Sequence, residues 1–162
     1  MPRTWRSAAA IEIARPPQGV WPWLFDDDKL LRWREALKEN ERVDGGAGPP
    51  GAGSRWRQVF EDHGHRTEIE LETTEVDAPR HTAFRFATAD GMRASGEQHL
   101  EPTDAGGTHL RVSIEAQYLK LLPRLMGRIV TRQVQKTMEG DLVRLKQLVE
   151  SANSGVPAAP AT

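Results

Sequence analysis

The chain has no cysteine in its 162 residues. Disulfides, thiolate nucleophiles and zinc–thiolate centres are thereby excluded. Charge of one sign is not in excess either: 22 basic residues face 23 acidic ones. A nucleic-acid binder shows a basic excess or stripe with stacking aromatics, so no nucleic-acid partner is expected. No segment approaches the ~18 uninterrupted apolar residues of a membrane-spanning helix. Met1–Ala10 carries Arg3 and Arg6 but no apolar stretch of signal-peptide length. A cytoplasmic protein without stable membrane insertion is the expectation. No Ser/His/Asp arrangement, phosphate loop or dinucleotide fingerprint stands out. Gly45–Gly53 is rich in glycine but lacks a Lys-Ser/Thr ending and does not open a helix. No cofactor is expected.

What the chain does have is one long amphipathic segment, Pro123–Ser151, preceded by short alternating runs. Counted at about 100° per residue from Val134, Met126, Val130, Met138, Leu142, Leu145, Leu148 and Val149 fall on one side. Arg124, Arg128, Arg132 and Lys136 form an i, i+4 row on the other. A helix with so long an apolar side needs a large apolar partner, and the upstream strands supply it. The length fits one domain, residues 1–152, followed by an Ala/Pro/Ser/Gly tail, 153–162, too poor in apolar groups to order itself.

Trp5–Ala14 reads as a strand ended by Pro16-Pro17. Pro17–Phe25 reads as a short helix, and Asp26 as the N-cap of a second one carrying Leu30, Leu31 and Trp33. Arg34–Asp44 has helix-favouring composition. Strands follow over Arg55–Asp62, Arg66–Val76, His81–Ala87, Met92–Glu101 and Thr108–Tyr118, with His63-Gly64-His65 as a tight turn. Their alternation is clean: Leu110, Val112, Ile114, Ala116 and Tyr118 share one parity, while Arg111, Ser113, Glu115 and Gln117 share the other. Such strands make an antiparallel sheet with one covered and one wet face.

The order is a strand, two short helices, a run of further strands and a long C-terminal helix. Together with Ala14 to Leu24, Asp26 to Trp33, Gly51 to Arg55, Pro123 to Met126 and Asp141 to Lys146, it resembles the START-like, Bet v 1-like helix-grip (SRPBCC) superfamily, whose bacterial members include polyketide cyclase/dehydrase-like and lipid-transport-like proteins. The resemblance implies an α+β helix-grip fold with six strands after the two helices. It implies a seven-stranded curved antiparallel sheet wrapped around the long helix, with a cavity between them. It also implies that Arg34–Asp44 is strand two. The Ala, Gly, Arg and Pro usage fits a high-GC bacterial genome.

The parities nominate a pocket lined by Trp56, Gln58, Phe60, Phe84, Phe86, Met92, Gln98, Ile114, Tyr118, Met126, Val130, Gln133 and Thr137. A few polar groups on an apolar wall orient a ligand; equally, each is able to satisfy only a neighbour or a water. The expected partner is a small hydrophobic molecule, a lipid or polyketide-like metabolite. The alternative is a polyketide cyclase or dehydratase in the same cavity, and a third reading is partner binding through the outer sheet face. Asp141 lies near the centre of the apolar helix face and, with Tyr118, is the weak catalytic candidate. A carboxylate there needs a partner, sought in Arg55, Arg57 or a Trp indole. His63 and His65 sit on a turn, and His99 and His109 are read as opposite each other about Asp104; both pairs are taken as exposed histidines, with no metal site. The basic helix row, with Leu119, Leu121 and Leu122 before it, is a solvated face or a transient membrane contact. A monomer or homodimer is expected.

Overall fold

A computed structural model describes residues 3–118 and 124–155. Strand β1 (Thr4–Ile13) stops short of Pro16 and Pro17, which have no N–H to give a ladder. Three short helical segments follow: α1 (Pro17–Val20), α2 (Pro22–Phe25) and α3 (Asp27–Trp33). The helix expected over Pro17–Phe25 is thus divided at Trp21, because Pro22 has no N–H to donate to the preceding turn. Asp26 caps α3 as expected, its carboxylate accepting from the Lys29 N–H at 3.3 Å. The ambiguous segment is a strand, β2 (Leu37–Arg42). Then come β3 (Arg55–Asp62), β4 (His65–Asp77), β5 (His81–Ala87), β6 (Met92–Pro102), β7 (Thr108–Tyr118) and α4 (Arg124–Gly155). Helix α4 continues past Ser151; Leu119, Leu121, Leu122, Pro123 and the tail beyond residue 155 lie outside the described residues.

The strands form one antiparallel sheet in the order β1-β7-β6-β5-β4-β3-β2, a meander with β1 added beside β7. Two register breaks, between Leu37 and Glu39 and between Thr73 and Glu75, bend it as bulges do. The second also switches the inward parity of β4, so that Thr73 and then Val76 face Phe84 and Thr82. One expected pairing does not occur. His109 lies opposite Glu101, and His99 lies between Arg111 on β7 and His81 on β5. The β6–β7 turn closes at Pro102–Thr108, which centres it on Ala105 and shifts the pairing by two residues from the symmetric placement about Asp104.

The core gathers at one end of the sheet. Ile13, Leu100 and Leu110 pack with Val20, Trp23, Leu30 and Trp33 and with Leu142, Leu145 and Val149 of α4. The Trp33 indole donates to the Trp23 carbonyl at 2.8 Å, which satisfies the one polar atom that side chain buries. Along its length α4 runs beside the edge strand β1. Gln135 donates to the Ala8 carbonyl at 2.5 Å and accepts its N–H at 3.1 Å. Lys146 donates to the Glu12 carbonyl at 2.6 Å, and Glu150 accepts the Ala14 N–H at 2.9 Å. Gly127 lies flat against the Trp5 ring, in space that a Cβ would occupy.

This close approach yields a sign test. Gly→Ala in a helix ordinarily stabilises by about 1 kcal/mol. Gly127→Ala is expected instead to lower the urea midpoint, and Trp5→Ala in the same chain to restore the ordinary gain. A stabilising single substitution would show that α4 does not rest on Trp5.

Candidate functional site

Between the sheet and the C-terminal half of α4 lies a recess of about 100 Å³. Every strand from β2 to β7 contributes to it. Its apolar wall includes Leu24, Leu30, Trp33, Trp56, Leu71, Phe84, Val112, Ile114, Met138 and Leu142. Phe84 reaches across the sheet because the residue opposite is Gly96, where a Cβ would collide with the Phe84 ring and the Ser113 carbonyl. Polar groups enter from Arg34, Asn40, Gln58, Thr73, Thr82, Gln98 and Asp141.

Gln58 is the most constrained of them. It is 4% exposed. The Asp27 carboxylate only accepts, so the Asn40 amide turns its NH₂ toward it, at 2.5 Å. That leaves the Asn40 oxygen to accept from Gln58 Nε2 at 2.8 Å. The chain of bonds thus fixes the Gln58 amide with Oε1 pointing the other way. Among the described residues that oxygen is the one buried side-chain polar atom with no hydrogen-bond partner. Buried acceptors are rarely left so.

Arg34 follows α3 and lines the same recess. Its guanidinium carbon sits 5.1 Å from the centre of the Phe60 ring. No described residue hydrogen-bonds to that guanidinium, and Asp141 is the carboxylate whose charge acts on it. Burial pushes Arg34 below the usual arginine value, and Asp141 pushes it back up. Asp141 is 8% exposed. It accepts from the Glu35 N–H at 3.2 Å and from Arg144 Nη1 at 3.4 Å. Arg144 is itself tied to the Trp33 carbonyl at 3.0 Å and to Glu35 Oε2 at 3.3 Å. The partners of Asp141 are therefore the α3–β2 connection and its own helix, not Arg55, Arg57 or an indole, because α4 docks beside α3. Burial raises the Asp141 carboxyl above its ordinary range, outweighing the Glu35 N–H and the charges of Arg34 and Arg144.

The nominated residues divide. Trp56, Gln58, Phe84, Gln98 and Ile114 line the recess, as does Asp141. Phe60, Phe86, Met92, Tyr118, Val130 and Thr137 are half-buried and do not line it. Burial and then the Asp90 charge push the Tyr118 hydroxyl above its usual value. Met126 and Gln133 are corrections: Met126 is 49% exposed and Gln133 is exposed too. The angular count made α4 symmetric about Val134, whereas its bonds to the β1 edge roll that side of the helix outward. Arg34 and Asn40 were not foreseen. Only the end of α3 at Trp33, with the next residue swung into β space, places Arg34 inward, and composition does not encode that turn.

Residues 4–150 match the family described as polyketide cyclase/dehydrase and lipid transport, and the chain belongs to that family. Its fold is the START-like, Bet v 1-like helix grip. Three solved structures illustrate the likeness. The Zhui aromatase/cyclase from Streptomyces sp. R1128 superposes with a TM-score of 0.77 at 17% identity, covering 96% of this chain and 99% of that one. A START superfamily protein from Mycobacterium smegmatis gives 0.72 at 16% identity, covering 91% and 99%. Ara h 8.0201 gives 0.67 at 18%, covering 92% and 99%. At such identities the likeness shows the fold alone. A comparison with curated protein sequences finds no match. No described helix is long and apolar enough to cross a membrane.

The raised Asp141 carboxyl predicts a pH signature. The folded chain holds a proton there more readily than the unfolded one. The stability this group contributes is full below the ordinary carboxylate range and is lost as pH rises through the raised folded value. The gap in unfolding free energy between the parent chain and Asp141→Asn should therefore shift against the parent from the acid end of that range toward neutrality. A gap constant with pH would mean that Asp141 is not desolvated.

Proposed function

We propose that the chain binds a small, largely apolar molecule, a lipid or polyketide-like metabolite, that carries a hydrogen-bond donor. The observation behind this is the orphaned Gln58 oxygen in a recess whose wall is largely apolar. A ligand hydroxyl or N–H satisfies it, and an oxygen at the same end of the ligand meets Arg34. The recess is smaller than the ~300–1,000 Å³ of typical ligand pockets. It therefore takes a ring or head group, and the remainder of a larger ligand lies outside it. Family membership supports ligand binding in general.

An environment-sensitive apolar dye should bind near equimolar ratio. A medium-chain alcohol should displace it about 5- to 10-fold more tightly than the matched methyl ether, the worth of one hydrogen bond. Gln58→Leu should erase that difference while sparing affinity for the ether. Absence of a saturable site in well-folded protein would end the binding proposal; equal displacement by alcohol and ether would end the role given to Gln58.

The second reading is a cyclase or dehydratase, and the observation in its favour is Asp141, a buried carboxyl with a raised proton affinity on the recess wall. Its two fixed donors argue for structure over proton transfer. A single-turnover assay with a poly-β-ketone mimic separates the two. Product that falls by a factor on the order of 10² to 10⁴ in Asp141→Asn, with the fold intact, makes it an enzyme.

A further inference from the structure

On the wet face of the sheet, directly behind the recess wall, three potential metal ligands converge. His81 on β5 and His99 on β6 are in register, and Glu97 lies two residues before His99 on the same face. Both imidazoles direct Nε2 at one oxygen, Glu97 Oε2, from 3.3 Å for His81 and 2.6 Å for His99. The rings stack with centroids 4.4 Å apart and a tilt of 32°. One donor atom from each residue lies within 4.8 Å of the other two. We propose that His81, Glu97 and His99 form a binding site for one divalent transition-metal ion of the zinc class.

Four features carry this. First, bonds of about 2.0–2.2 Å in a tetrahedral zinc site put donors roughly 3.3 Å apart. The His81–Glu97 separation of 3.3 Å already has that value, and only His99 and Glu97 need to open around an ion. Second, His81 Nδ1 faces Glu75 Oε1 at 3.5 Å. A carboxylate on that side favours the proton on Nδ1, the nitrogen it faces, and leaves Nε2 free to ligate. Third, one carboxylate oxygen serves two stacked imidazoles. Two imidazolium rings at this spacing repel each other, and two neutral rings each bring a lone pair; a cation between the three groups resolves both. Fourth, the ligands stand on adjacent, hydrogen-bonded strands, so little side-chain order remains to be imposed on binding. His81 is well covered, with 18% of its side chain exposed, while Glu97 stays open at 51%, which leaves a way in and a fourth position for water.

The surroundings are mixed in charge. Asp77 lies in register with His81 and is held by Arg80 at 2.7 Å. Arg111 lies in register with His99. Glu75 faces the cluster from β4, so with Glu97 two carboxylates stand against the two imidazoles. The three ligands on β5 and β6 are chain neighbours of Thr82 or Gln98, which line the recess. An ion there would clamp those two strands together from behind.

The test is titration of the untagged, metal-free chain with Zn²⁺ near neutral pH by calorimetry, with Co²⁺ absorbance as a report of coordination geometry. One ion per chain is expected, with a Co²⁺ spectrum of four- or five-coordinate type. His81→Gln and His99→Gln should each weaken binding at least ~10-fold, and Glu75→Gln should weaken it less. Affinity should fall as the solution is acidified through the histidine range, since protons compete for the same nitrogens. The double change His63→Gln/His65→Gln, at the distant β3–β4 turn, should alter nothing. Thermal melts of each variant establish that it is folded. No saturable binding by the folded parent overturns the proposal. So does binding that survives His81→Gln together with His99→Gln, or that disappears with the turn histidines.

Discussion

The free edge of β1 organises much of this fold. A sheet that begins with an exposed strand leaves a row of unpaired N–H and C=O groups, a liability that proteins cover. Here α4 covers it with side chains: Gln135 pairs with both polar groups of Ala8, Lys146 with Glu12, and Glu150 with Ala14. These bonds set the roll of the helix about its axis. Roll in turn decides which residues close the core and which do not. Leu142, Leu145 and Val149 are driven into the layer formed by Ile13, Leu110 and the tryptophans of α2 and α3. Met126 and Ile129, farther toward the N-terminus, are left 49% and 62% exposed.

A core packed at one end leaves the middle of the curved sheet incompletely filled. A helix fixed to β1 cannot also fill the hollow opposite β3 to β6. The recess is thus a consequence of where the helix is anchored. What distinguishes it is the polar chemistry left inside. Leaving a buried acceptor such as Gln58 Oε1 unpaired costs about 1–3 kcal/mol. The Asp27–Asn40–Gln58 chain holds that oxygen in place when a simple rotation of the amide would exchange it for a donor. Asp141, by contrast, has its partners, and its position where α3, β2 and α4 meet matches a group that ties three elements together.

How much of this was legible in the sequence follows the range of the physics involved. Period-two alternation in β5 to β7 located the covered face, and the turn residues located the hairpins, but not the register of β6 on β7 or the bulge in β4. Trp56, Gln58, Phe84, Gln98 and Ile114 came from parity alone. The helix was less tractable. An angular count finds the apolar side but assumes that the partner is centred on it, and the pull of the β1 edge breaks that symmetry at Met126 and Gln133. Arg34 depended on one backbone turn after Trp33. The His81–His99 pairing depended on register across β5 and β6, which no local pattern around either histidine carries. Strand two needed the family resemblance, since Leu37–Arg42 has the composition of a helix.

Strand parity also explains how two unrelated chemistries come to share a wall. Along β5 and β6 a step of one residue passes from the recess to the wet face: Thr82 to His81, Gln98 to His99 or Glu97. Whatever stiffens the outer cluster therefore limits how far Thr82 and Gln98 move, without touching a ligand. Coupling of that kind acts through two hydrogen-bonded strands and needs no longer path. Relatives with this fold at 16–18% identity keep the strands and the helix. In this chain the residues facing each way, Gln58 and Arg34 inward, His81 and His99 outward, carry chemistry that the shared architecture does not itself specify.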